Sequence, residues 1–308
     1  MLDNDLEDEL FGNRIKEDES SFVTTQYICH NCDASFCTSM HTKVDNCIIC
    51  GKPSLTMDDF VEARHMKYIP FKKTMKDAER VFFKKTFWNP LVPFSFKLPK
   101  VRRQINKVYL PAYLADVNHS GTVIFMGGDK ENIIKNNKKC VELKKYEINH
   151  SINIDYKNML LGGFSNINDK IFSSICTYEY NNLKDFDSKV INDSMYLLGN
   201  RTIADVGENG RNKVLRHSFS IVRGNIKHSL KKMSDDSTTI SFQNTTEVLV
   251  PVYVLTIQYR KKNYTFMMNG ENEKSYMELP IGILSTCVFT IFITAIIFYI
   301  VYLIACYY

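Results

Sequence analysis

Residues 29–50 read CHNCDASFCTSMHTKVDNCIIC, and this stretch decides how the N-terminal part of the chain folds. It holds two C-x2-C pairs separated by fourteen residues. Two residues between cysteines allow both sulfurs to face one point, and four thiolates complete a closed tetrahedral zinc site. The spacing therefore predicts a zinc ribbon over residues 27–54 with a structural zinc ion. The predicted ligands are Cys29, Cys32, Cys47 and Cys50.

The residues around the two pairs refine this prediction. Gly51 follows the second pair, where a tight turn favours positive φ, and Asp33 takes the equivalent place after the first pair. Cys37 and His41 lie between the pairs. One interpretation makes His41 an alternative ligand and Cys37 a redox sensor. The other, which we favour, places both on the hairpin that joins the two turns, without a functional role.

The other end of the chain has a different character. The 28 residues from Ile281 to Tyr308 contain no charged side chain, and about 20 such residues in a helix cross a bilayer core of roughly 30 Å. This predicts one transmembrane helix over residues 281–306. Basic residues flank it on the N-terminal side alone, which indicates that the bulk of the chain is cytosolic and tail-anchored. In that reducing compartment, paired cysteines are metal ligands more often than disulfides.

Composition divides the remainder of the chain. The formal net charge of the whole chain is +5, but residues 1–20 carry eight acidic side chains against two basic ones. Nothing in this segment resembles a secretory signal peptide. So acidic a segment buries too little apolar surface to offset its ordering entropy. We therefore expect an acidic disordered tail over residues 1–26.

Residues 58–279 are predicted to form an α+β domain with an antiparallel sheet. Thr74 and Asp77 form a helix-start signature, and the helix is expected to run to Trp88. Its expected apolar stripe is Ala78, Val81, Phe82 and Trp88. Residues 105–128 read as two strands joined by a turn at 118–121, and residues 248–270 read as a similar hairpin, which suggests a duplicated unit.

The segment between these hairpins, residues 165–235, is predicted to be largely helical. Three runs carry that prediction: NDKIFSSICTY, SKVINDSMYLLG and the longer NGRNKVLRHSFSIVRGNIKHSLKKM. In the longest run, apolar residues recur close to helical spacing.

These patterns together resemble a family of bacterial proteins that carry a transcription-factor-IIB-type zinc ribbon before an uncharacterised domain. The matching pieces are the paired cysteines, YIPF, VYLPAYLADVNHSG and, most specifically, LVPVYVLTIQYRKKNYTFMMNGENEKSYMELPIG. Asp33 departs from the glycine usual in the family. The resemblance implies a ribbon, a folded body and a membrane segment, and it implies no established activity. Family members are sometimes labelled primosomal helicases, which makes a nucleotide site worth testing for.

The residues do not support a helicase or another enzyme. A phosphate-binding loop needs G-x-x-x-x-G-K-[ST], and the nearest imitation, GENGRNKV, has its glycines too close together. The seven histidines are scattered, with no H-E-x-x-H. Asp116 and His119 could be argued as an acid–base pair, but we favour their assignment to a turn. We therefore expect no catalytic activity and no small-molecule substrate.

Basic clusters leave three interpretations open: a solvated surface, contact with lipid headgroups, or contact with nucleic acid. The clusters are Lys72–Lys73, Lys84–Lys85, Lys97–Arg103 and Arg260–Lys262. The ribbon itself lacks the positive charge expected of a nucleic-acid reader, so nucleic acid is the less favoured partner. The sequence thus predicts a membrane-anchored interaction or scaffold module with an unknown protein partner. The alternative is a membrane-tethered nucleic-acid-binding or transcription regulator.

Overall fold

The computed structural model describes residues 22–39, 43–62, 67–135, 138–186, 190, 193–226 and 230–307. The helices in this part of the chain are α1 (Met75–Phe87), α2 (Pro99–Arg102), α3 (Asp169–Ile175), α4 (Ile203–Asn225) and α5 (Ile283–Tyr307). The strands are β1 (Phe22–Cys29), β2 (Ser35–Thr38), β3 (Leu55–Glu62), β4 (Lys67–Tyr68), β5 (Asn106–Lys135), β6 (Lys138–Gly162), β7 (Lys184–Asp185), β8 (Met195–Leu197), β9 (Leu230–Tyr259), β10 (Lys262–Asn269) and β11 (Ser275–Met277).

The predicted fold class is confirmed in its coarse form, because these elements make an α+β protein with a mostly antiparallel sheet. The chain divides into two compact units. The first unit holds the described residues of Met1–Pro111, Phe164–Gly199 and Val248–Tyr308. The second unit is formed by Ala112–Gly163 and Asn200–Glu247.

The paired cysteines and the body share one sheet in the first unit. Its strand order is β11-β10-β9-β5-β8-β2-β1-β3. The junction is the antiparallel pairing of β2 with β8, in which Phe36 lies opposite Leu197 and Cys37 opposite Tyr196. The Leu198 amide extends this ladder by donating to the Ser35 carbonyl at 2.8 Å.

This continuity corrects the predicted boundaries at the N-terminal end. Residues 22–26, which we expected in the disordered tail, belong to β1 and pair with β3. The ribbon also extends beyond residue 54, because β3 continues to Glu62. The remainder of the predicted acidic tail, residues 1–21, lies outside the described residues.

Helix α1 begins where the sequence predicts. The Thr74 side chain accepts from the Asp77 amide at 3.3 Å, and the Asp77 carboxylate accepts from the Thr74 amide at 2.9 Å, so a capping box forms. Ala78 and Phe82 are buried in the core of the first unit. Trp88, however, is 77% exposed, so its expected place in the apolar stripe is wrong.

The predicted hairpin near residue 260 is confirmed. The pairing of β9 with β10 begins with Tyr259 opposite Lys262 and ends with Val252 opposite Asn269. The two turn residues, Arg260 and Lys261, have φ values of 49° and 64°. Positive φ at both central positions is the mark of a type I′ turn, whose twist matches that of the flanking strands.

The other predicted hairpin is wrong, because β5 runs without interruption through residues 118–121. The sequence predicts a turn at Gly121, but the glycine instead allows two strands to approach closely. Its φ is +137°, and a Cβ atom there would lie 2.5 Å from the Ser237 carbonyl oxygen of β9. The similarity between the two segments therefore reflects strand composition and not a duplicated hairpin.

The helical prediction for residues 165–235 is confirmed only in part. Helices α3 and α4 form, and the Thr202–Asp205 capping box starts α4. The run at 188–199 instead contains strand β8. The last run was expected to stay helical to Met233, yet α4 ends at Asn225 and β9 begins at Leu230.

A buried histidine distinguishes the core of the second unit. His119 has no exposed surface, and neither ring nitrogen has a hydrogen-bond partner. Its ring packs against Phe219 of α4, with centroids 6.0 Å apart. Burial lowers the pKa of His119 below the ordinary value of 6.5, and the positive charge of Arg211 lowers it further. The negative charge of Asp236 raises the pKa, but by less than burial lowers it. The imidazole is therefore held neutral in the folded protein.

This burial predicts a pH dependence of stability. The unfolded chain binds a proton at His119 more readily than the folded chain, so the free energy of unfolding falls as pH drops below about 6.5. Denaturant unfolding followed between neutral pH and pH 5 should show this loss, and His119→Leu should reduce it. His217→Gln, at an exposed position on α4, is the matched control. An unchanged pH profile in His119→Leu would contradict the assignment.

Candidate metal centre

Two matching turns bring the four cysteines together. In the first, the Asp33 amide donates to the Cys29 carbonyl at 2.9 Å, and in the second the Gly51 amide donates to the Cys47 carbonyl at 2.8 Å. Asp33 and Gly51 have φ values of 54° and 71°, so both take the left-handed conformation that the sequence predicts. The first turn joins β1 to β2, and the Cys29 amide donates to the Ala34 carbonyl at 3.0 Å.

The sulfur atoms have the spacing that a tetrahedral metal ion requires. The Sγ atoms of Cys29 and Cys50 lie 3.6 Å apart, and those of Cys32 and Cys47 lie 3.7 Å apart. All four sulfurs are within 4.8 Å of one another. Sulfurs at 2.3 Å from a central ion would be separated by roughly 3.8 Å, whereas a disulfide bond measures about 2.05 Å. The group therefore fits a metal ion and is not a pair of disulfides.

Burial disfavours the thiolate form enough to raise the pKa at two of the four cysteines. Burial raises the pKa of the Cys47 thiol to about 11 and also raises the pKa of the Cys32 thiol. Burial opposes ionisation of Cys29 as well, but the Asn31 and Cys32 amides point at its sulfur and bring its pKa below the usual value. Four thiolates at this spacing repel one another, so a bound metal ion is what stabilises the ionised site.

Of the two candidate residues between the cysteine pairs, Cys37 and His41, the structure describes Cys37. Cys37 has no exposed surface and packs with Tyr109, Tyr196 and Leu249. A redox sensor needs access to solvent, which the buried Cys37 side chain lacks. The assignment of Cys37 to a connecting hairpin also misses its packing in the core. His41 lies outside the described residues.

Three polar side chains of the body dock the metal site, and sequence reasoning missed all of them. Asn166 donates to the Cys32 carbonyl at 2.6 Å, and Asn263 donates to the Cys50 carbonyl at 3.0 Å. Thr256 donates to the Ile49 carbonyl at 2.8 Å. Each cysteine turn thus has a side-chain partner from the body. These partners are more than 130 residues away in the chain, so no local pattern could have pointed to them.

The other candidate site residues are not brought together. Asp116 accepts from the Asn158 amide at 3.0 Å, where β6 bulges against β5. That contact and the neighbouring Asn244 amide lower the pKa of the Asp116 carboxyl. His119 is buried without a partner, so the two residues form no acid–base pair in this structure.

The four ligands predict a metal dependence of folding. Cys47→Ser should reduce the metal content from about one ion per chain, measured by elemental mass spectrometry. It should also lower the free energy of unfolding by several kcal/mol, because metal binding to a folded site is linked to folding. Cys140→Ser, at an exposed cysteine outside the site, is the control and should change neither quantity. Equal metal content in both variants would contradict the site.

The docking contacts predict a smaller effect with the metal retained. Asn263→Ala removes one hydrogen bond to the Cys50 carbonyl and should cost about 1 kcal/mol in the free energy of unfolding. Asn263→Asp should cost more, because it places a carboxylate against that carbonyl. Metal content and denaturant unfolding should be measured on the same preparations. An unchanged free energy of unfolding in Asn263→Asp would show that the contact with the Cys50 carbonyl does not stabilise the fold.

Comparison with known proteins adds one relative. No family model matches the chain, and no solved structure matches it. The chain is similar to the uncharacterised protein YdjG of Bacillus subtilis (strain 168), with 24% identity over 217 residues. The match covers 70% of this chain and spans 64% of the length of that protein. The similarity to YdjG brings no activity with it, and the zinc-ribbon family resemblance stays a prediction.

Proposed function

We propose that this chain is a membrane-anchored interaction scaffold in which a structural zinc ion holds the outer edge of a sheet. Zinc is supported by the ligand set, since four thiolates in a closed tetrahedron are typical of structural zinc sites. Four protein ligands leave no coordination position for a substrate. The role we propose is therefore structural and not catalytic.

The observation that carries this proposal is the position of the metal site in the sheet. Strands β1 and β2 are joined to the body through β8, and β3 ends the strand order. Among the described strands, none pairs with the outer edge of β3. Thr56, Met57 and Asp58 are all exposed, and Met57 is 69% exposed. A strand edge of this kind is a surface to which a partner protein can add an extended segment.

Helix α5 supports the anchor. It is the one described helix long and apolar enough to cross a membrane, and none of its residues is buried. Thr286, Thr290 and Thr294 donate to the carbonyls four residues before them, so these hydroxyls leave no unpaired donor in lipid. We place the body on the cytosolic side because the flanking basic residues precede the helix.

The alternative, a membrane-tethered nucleic-acid regulator, is weakened by the ion pairs of one basic cluster. Lys72 lies 2.8 Å from the Glu179 carboxylate and 2.7 Å from that of Glu271, and these contacts raise its pKa. Lys73 lies 2.9 Å from the Glu273 carboxylate. Cations already paired with carboxylates contribute little to phosphate binding.

A photo-crosslinking residue at position 57 of the full-length chain, in native membranes, tests the scaffold role. A discrete protein adduct is expected from position 57 and not from position 141, because Val141 is similarly exposed, at 64%, but lies on β6. The purified chain should in parallel be titrated with DNA and RNA at two salt concentrations. Absence of an adduct at position 57, together with salt-sensitive nucleic-acid binding, would contradict the scaffold role and favour the nucleic-acid regulator.

A further inference from the structure

Large apolar side chains are exposed at the end of helix α1 and in the residues that follow it. Phe87 is 50% exposed, Trp88 77%, Phe94 74% and Leu98 42%. We call these four residues the aromatic collar. Of the side chains that the structure describes, every exposed Phe and Trp outside α5 belongs to this collar. Such a concentration of exposed rings marks a surface that is covered in the working protein.

The collar lies beside the start of the apolar helix. The Gly282 amide donates to the Leu91 carbonyl at 2.9 Å, and a Cβ atom at Gly282 would lie 3.0 Å from Pro93. These contacts fix the segment that carries the collar against the residue before α5. Phe94 and Lys97 line one groove together with residues 284–292 of the helix.

This neighbourhood sets the depth of the collar in a bilayer. Helix α5 has 25 residues and is therefore about 37 Å long, which exceeds a hydrocarbon core of roughly 30 Å. The excess of about 7 Å is roughly one helical turn, so a bilayer that accommodates the helix can meet its first turns at the boundary between headgroups and acyl chains. Because Phe94 shares its groove with these turns, a bilayer that accommodates α5 also meets Phe94.

The charges around the collar match an anionic lipid surface. Residues 87–103 contain two lysines and two arginines and no acidic residue. Lys100 and Arg103 are exposed, and Lys97 is half-buried. Arg102 is different, because it lies over the Phe83 ring and near the Glu79 carboxylate. Aromatic rings at the headgroup level, with lysines and arginines that reach lipid phosphates, are typical of interfacial contacts.

We propose that the aromatic collar inserts into the interfacial layer of an anionic membrane beside α5 and holds the body against the bilayer. This inference rests on the proposed membrane anchor. It assigns Lys97, Lys100 and Arg103 to lipid phosphate. The apolar helix alone gives the body one point of contact with the bilayer, and the collar supplies a second.

The single tryptophan of the chain, Trp88, reports directly on the collar. The full-length protein should be reconstituted into vesicles of phosphatidylcholine mixed with phosphatidylglycerol. Lipids brominated near the headgroup should quench Trp88 more strongly than lipids brominated near the chain ends. The Trp88 emission should be shifted to the blue relative to that of the chain unfolded in denaturant without detergent. Acrylamide should quench Trp88 only weakly.

A second reporter separates the collar from the anchor. In a Trp88→Phe, Phe292→Trp chain, the introduced tryptophan lies in α5 and should be quenched by brominated lipid. Quenching of this reporter without quenching of Trp88 would overturn the collar and leave the anchor standing. If neither tryptophan is quenched, both proposals fail.

Charge reversal tests the lipid chemistry. A Lys97→Glu, Lys100→Glu, Arg103→Glu chain should lose part of the Trp88 quenching in vesicles that contain phosphatidylglycerol, and lose less in phosphatidylcholine alone. The matched control is Lys145→Glu, Lys170→Glu, Lys232→Glu, which reverses three exposed cations on β6, α3 and β9. Circular dichroism and denaturant unfolding of each variant show that it is folded. Equal losses in both vesicle types would overturn the role of anionic lipid.

Discussion

Four sulfur atoms within 4.8 Å of one another would repel as thiolates, so the ionised set needs a cation between them. This requirement governs more than the loop that carries the cysteines. The first cysteine turn lies at the end of β1, and its Cys32 carbonyl accepts from Asn166. The second lies beside β10, and its Cys50 carbonyl accepts from Asn263. A metal ion that fixes the turns therefore also fixes the place of β1, β2 and β3 in the sheet. The ribbon behaves as an edge of the body and not as an attached module.

The sequence predicts local chemistry well and long-range contacts poorly, for a physical reason. The four cysteines, the left-handed turns after them, the Thr74 capping box and the Arg260–Lys261 turn all depend on neighbours within a few residues. The pairing of β2 with β8 and the three docking side chains depend on residues far apart in the chain. Nothing in the spacing of the cysteines could distinguish a free ribbon from one joined to a larger sheet.

The errors have the same origin. Gly121 resembles a turn glycine until the backbone of β9 is seen to approach it, and His119 resembles a turn residue until α4 covers it. Trp88 fits an apolar stripe by spacing, yet it is exposed because the core contacts of α1 end with the buried Thr86. In each case the local pattern is compatible with two environments, and tertiary packing selects one of them.

The connection to α5 decides what an anchor of this kind can do. Strand β11 ends at Met277 and α5 begins at Ile283, and both Pro280 and Gly282 between them are buried. The Lys85 ammonium donates to the Ser275 carbonyl at 2.7 Å, and Gly282 is bonded to Leu91. A tether held in this way has none of the reach of a flexible linker. The first unit is therefore kept close to the start of the helix, so the proposed anchor would hold the proposed β3 docking edge on the same short connection.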